Sequence, residues 1–160
     1  MTASQDTGGG LDVVWGIKSH TDLDSLPKKF ALLAGLAYLV GGVIGFFFTG
    51  FHNFTENTGI SLFGIFHLTP FHNIIHIGVG ALWLIAAFTL TRVATEGVNL
   101  AVGGVYVLAA VLGYLGSLTF IGVMPGFGDA DFYLHLVTGV ASLVFAGLIP
   151  LPDHSRRSHA

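Results

Sequence analysis

The chain has 160 residues, of which only 9% are charged and 52% hydrophobic, with a net charge of −3 and no cysteine. A soluble domain carries about 25% charged residues, so this chain lacks the side chains to cover a water-facing globule and reads as an integral membrane protein. The missing cysteines exclude disulfides, thiolate metal sites, iron–sulfur clusters and c-type haem attachment, and no basic patch points to nucleic acid.

In chain order, residues 1–29 read as a cytoplasmic N-terminal tail, partly disordered. "TASQDTGGG" is the disordered part, and the mixed segment that follows suggests a short interfacial element around Trp15. A polar, acidic stretch precedes the first apolar run, so no secretory signal is apparent. Four apolar runs follow in residues 30–151, each near the roughly 20 residues that a spanning helix needs. They are expected at Phe30–Gly50, Pro70–Thr91, Leu100–Val123 and Ala130–Leu151, and residues 152–160 form a cytoplasmic C-terminal tail. In the first span, Gly41 and Gly45 form a GxxxG pattern suited to close helix packing. The Phe-rich stretch from Phe46 to Phe71 suits an aromatic belt at the membrane interface. Thr69 can cap the second span with Pro70 at its first position, and Asp129 can cap the fourth.

The predicted fold class is thus all-α integral membrane, with four transmembrane helices in two antiparallel hairpins. Lys18, Lys28 and Lys29 precede the first span, Arg92 lies between the second and third, and Arg156 and Arg157 follow the fourth. The other two connections hold no basic residue, so both termini are expected on the cytoplasmic side of the inner membrane. "TPFHNIIH", opening the second span, then lies at the outer surface.

Counting inward at 1.5 Å per residue puts His76 ~9 Å and His135 ~8 Å below the outer ends of their helices. His72 and Asp131 lie one turn above them on the same faces. Two helices therefore present two polar side chains each, at matching depths. Intramembrane ionisable groups are costly and read first as functional. His72, His76, Asp131 and His135 supply the N and O donors that zinc, copper, iron or nickel accept, so a divalent transition metal leads among ligands. His52, Glu56 and His67 are further candidate ligands in the outer connection. A b-type haem held by His76 and His135, a proton-sensing pair, and plain interhelical hydrogen bonding compete. Spans two and four also share His-x-x-x-Gly, ending at Gly80 and Gly139, which suggests a parallel duplication. "HNIIH" carries Asn73 where a zinc protease needs its general-base Glu, and no phosphate loop or dinucleotide fingerprint occurs, so the reading points away from an enzyme.

"HLTPFHNIIHIGVGALWL" with "GDADFYLHLVTGVASLVF" resembles a family of bacterial, mainly actinobacterial, membrane proteins containing domain of unknown function 4383. Its pattern is N-P-x-H-N-x-x-H-x-x-x-G in one helix and D-x-x-x-H-x-x-x-G in another. His72, Asn73, His76, Gly80, Asp131, His135 and Gly139 match it, with Thr69 where the family often has Asn. The resemblance covers about residues 30–150, implies four spans and fixes no activity. Expected partners are the lipid bilayer and, as an alternative role, a larger membrane complex or homo-oligomer in which the chain is an accessory subunit. Four helices enclose little volume, which weighs against a transporter.

Overall fold

A computed structural model of the chain describes residues 13–14, 17–18, 23, 25–57 and 59–148. Most of the expected N-terminal tail and all of residues 152–160 lie outside the described residues. Two short strands, β1 (Val13–Val14) and β2 (Ile17–Lys18), precede helix α1 (Leu26–Thr49). A small hairpin, β3 (Ser61–Leu62) with β4 (Phe66–His67), leads to α2 (Pro70–Thr89), then α3 (Arg92–Tyr114) and α4 (Ala130–Leu143). All four helices are long and apolar enough to cross a bilayer, counting α4 with its π-helical extension to Leu148. Leu33, Ile85, Val105 and Val137, one on each helix, are more than half exposed, as lipid-facing residues must be. This is a multi-pass membrane protein.

The helix ends follow cap chemistry. The Thr69 hydroxyl accepts from His72 N–H at 3.2 Å, and the Asp129 carboxylate from Asp131 N–H at 3.1 Å, as the sequence predicts. The third helix differs from expectation at both ends. The Thr91 hydroxyl accepts from Ala94 N–H, so α3 begins at Arg92 instead of Leu100, and the link from α2 is only Leu90–Thr91. At the other end Gly116 takes φ 80°, its N–H donates to Gly113 and that of Ser117 donates to Leu112. These two bonds form a Schellman stop, which ends α3 at Tyr114 instead of Val123. The apolar residues beyond make a 3-10 turn, Thr119–Ile121, and fold back as a plug in which Ile121 and Val123 are buried. The fourth span runs from α4 into a π turn, Val144–Leu148, where Gly147 takes φ 78°; residues 149–151 lie outside the described residues.

Glycine sets how closely the helices pair. A Cβ on Gly80 would come within 2.8 Å of the Gly35 carbonyl oxygen, and one on Gly35 within 3.0 Å of Leu84. A Cβ on Gly139 would meet Val107 at 2.8 Å, and one on Gly103 would meet the Gly139 carbonyl oxygen at 3.0 Å and Leu143 at 2.9 Å. Small residues thus let α1 lie against α2, and α3 against α4, as two antiparallel hairpins. Within the predicted GxxxG pair, Gly45 faces Asn73 but Gly41 packs on nothing; Gly42, one residue on, makes the close approach.

The two hairpins repeat each other. Gly35, Tyr38 and Leu39 of α1 correspond at one constant offset to Gly103, Tyr106 and Val107 of α3. His76, Gly80 and Leu84 of α2 correspond at another to His135, Gly139 and Leu143 of α4. The contacts made by Gly35 and Gly80 recur at Gly103 and Gly139, partner for partner. The hairpins meet through aromatic side chains: Tyr38 and Tyr106 are edge-on with ring centroids 5.3 Å apart, and Trp83 packs on both. Below them, Asn99 accepts from Trp83 Nε1–H at 3.1 Å and donates to the Pro27 and Phe145 carbonyls. At the opposite end the two loops brace each other, with the Thr69 hydroxyl donating to the Ile121 carbonyl.

Candidate metal centre

Helix α2 carries His72 and His76 one turn apart on the face turned toward the other hairpin. Their ring centroids are 4.4 Å apart. His135 comes from α4, its ring centroid 6.0 Å from that of His72. One ligand nitrogen from each imidazole can be chosen so that all three lie within 4.8 Å of one another. Around a tetrahedral ion, Zn–N bonds of 2.0–2.1 Å place nitrogens about 3.4 Å apart. The nitrogens would have to draw together by up to about 1.4 Å to hold one ion.

Tyrosines back the imidazoles in the same way from each hairpin. Tyr38 lies 4.8 Å from His76 and Tyr106 lies 5.3 Å from His135, centroid to centroid. The Tyr38 hydroxyl donates to Thr138 at 2.8 Å, which ties α1 to α4 beside the cluster. His72 and His135 are buried; His76 is partly buried, with its Nε2 fully covered.

Hydrogen bonding separates these histidines from ordinary interhelical polar contacts. Both nitrogens of His72, Nε2 of His76, Nδ1 of His135 and both carboxyl oxygens of Asp131 are buried without a hydrogen-bond partner. A buried polar atom left in that state costs about 1–3 kcal/mol, and six converge from two helices. The asparagines behave differently. Asn73 Nδ2 donates to the Thr49 hydroxyl at 2.9 Å, locking α2 to α1 where Gly45 leaves room.

The remaining candidate ligands stand apart. Asp131 is buried one turn above His135, but none of its oxygens joins the set formed by the three imidazoles. His67 Nδ1 lies 4.0 Å from Asp129 Oδ1 at the rim, and His52 and Glu56 are exposed in the outer connection. Asp129 itself is occupied in capping α4 and in accepting from Met124 N–H. Sequence reasoning missed Tyr38 and Tyr106 as supports of the cluster, although Gly-x-x-Tyr in both α1 and α3 is a visible signal.

Two cavities flank the imidazoles. One, of about 190 Å³, lies between α1 and α4 and reaches Asp131 and His76 under the β3–β4 hairpin. The other, of about 260 Å³, lies between α2 and α3 and reaches all three histidines under the 3-10 turn.

Residues 28–148 match the family described as Domain of unknown function (DUF4383). That is well over half of the chain, which therefore belongs to this family. No curated protein and no solved structure matches it.

Proposed function

We propose that this member of the family binds one divalent transition metal ion inside the membrane through His72, His76 and His135. The observation that carries the reading is the convergence of buried, unpartnered imidazole nitrogens from two helices. Neutral imidazole is the ligating form and suits zinc, copper, iron or nickel. Three neutral ligands leave the charge of a bound ion uncompensated, and a charge held in an apolar bundle needs a counter-charge. Asp131, one turn above His135 and outside the three-imidazole set, is placed to supply that charge from nearby without ligating the ion. A three-histidine set leaves a coordination position open, the arrangement of metal sites that bind an exchangeable molecule.

Interhelical glue accounts less well for the cluster, because the buried nitrogens of its imidazoles make no hydrogen bond from helix to helix, whereas Asn73 and Asn99 do. A porphyrin fits less well too: the cavities beside the imidazoles, of about 190 and 260 Å³, fall below the roughly 300 Å³ at which cofactor pockets begin. The distribution of basic residues supports an orientation with the histidine end on the outer side of the cytoplasmic membrane and both termini inside.

The test is elemental analysis of the full-length chain purified in detergent without added metal or chelator, alongside His76→Ala. The expected result is close to one transition ion per chain in wild type and little in the variant. Equal, trace amounts in both, together with no change in melting temperature when zinc is added back, would sink the proposal.

A further inference from the structure

The two cavities beside the histidines occupy corresponding places in the duplicated fold. Ala37, Tyr38 and Gly41 on the first answer to Val105, Tyr106 and Ala109 on the second. His76, Asp131 and Leu134 on the first answer to His135, His72 and Ile75 on the second. The shared wall is aromatic and aliphatic, and the polar group on it has diverged, to a carboxyl in one and an imidazole in the other. In the reading above His72 is a ligand, whereas Asp131 stands outside the three-imidazole set.

From this juxtaposition we infer that the cavity between α1 and α4 binds a small single-ring molecule whose O–H or N–H donor faces Asp131. Size, wall and head group each contribute. An engineered apolar cavity of about 150 Å³ holds benzene, so 190 Å³ takes one ring with a substituent. Tyr38 offers its ring to such a guest, since its hydroxyl is committed to Thr138. Both Asp131 oxygens are buried with no donor from the protein, and a group in that state is satisfied by a ligand that brings one. Gly41 leaves the space: a Cβ built there meets no atom within 4 Å.

The inference does not depend on the metal, and the experiment keeps the two apart. Full-length protein in deuterated detergent is titrated with phenol and with toluene, which differ by the hydroxyl, and binding is followed by saturation-transfer NMR. Wild type is expected to bind phenol about tenfold more tightly than toluene, the ratio that one hydrogen bond to a buried acceptor supplies. Gly41→Phe, and as a milder filling Gly41→Leu, should lose both guests while melting cooperatively and keeping the metal content of wild type. Asp131→Leu should bind the two guests alike. Ala109→Phe, which fills the corresponding cavity, should bind phenol as wild type does. Equal affinity of wild type for phenol and toluene, or undiminished phenol binding by a folded Gly41 variant, overturns the inference. A chain that holds no metal but shows the phenol preference supports it and overturns only the metal reading.

Discussion

Asn73 and the histidines on either side of it show what a polar side chain in this bundle does when it is structural and when it is not. Asn73 has a partner across the helix pair, whereas the buried nitrogens of His72 and His76 have none on another helix. This difference makes His76→Ala informative. Chelator is expected to lower the melting temperature of wild type clearly and that of His76→Ala scarcely at all. Protons compete with the ion for imidazole lone pairs, so occupancy should fall as the solution is made acidic. Equilibrium dialysis against zinc at several pH values would check it; occupancy that rises in acid would contradict imidazole ligation. Asn99→Ala removes three hydrogen bonds in the membrane interior, each worth about 0.6 kcal/mol on average, so a loss of about 2 kcal/mol in detergent unfolding is expected. The histidines were legible in the sequence because ionisable groups in apolar runs stand out. Asn99 was not, since hydropathy put it in a loop, and only the Thr91 cap brings it inside α3.

Each hairpin is held by atoms that glycine omits. Gly80→Ala and Gly139→Ala must push backbones apart, since their new Cβ atoms would meet Gly35 or Val107 at 2.8 Å. Overpacking of this kind costs about 1–3 kcal/mol. Gly104→Ala meets nothing within 4 Å, and removing a mid-helix glycine there should stabilise by about 0.5–1 kcal/mol. Thermal unfolding of the three variants in one detergent would test the ordering; equal effects at Gly80 and Gly104 would refute the packing assignment. Four spans and the caps at Thr69 and Asp129 could be read from periodic apolar runs and cap residues. The ends of α3 could not, because a Schellman glycine and a lone threonine cap outweigh hydropathy, and neither has a hydropathy signature. Gly41 misled for a related reason: GxxxG spacing marks small residues but not the face they occupy.

For the whole molecule, the proposed placement of the histidine end outside rests on basic residues alone, and a sequence without cysteine makes it simple to test. A cysteine at the exposed Gly128 should react with an impermeant thiol reagent in intact cells, whereas one at Ser158 should react only after lysis. The reverse pattern would place the cluster on the cytoplasmic side. The split of the proposed ligand set between two hairpins has a consequence in time. His72 and His76 leave the ribosome roughly sixty residues ahead of His135, which at about 5–20 residues per second is about 3–12 s. During that interval the first hairpin can pair and insert, but it holds only two of the three imidazoles. Tight retention of an ion must therefore wait until α4 is made and docked. Under the proposed function, metal capture would report completed assembly of the bundle, and a nascent chain stalled before residue 130 should emerge without it.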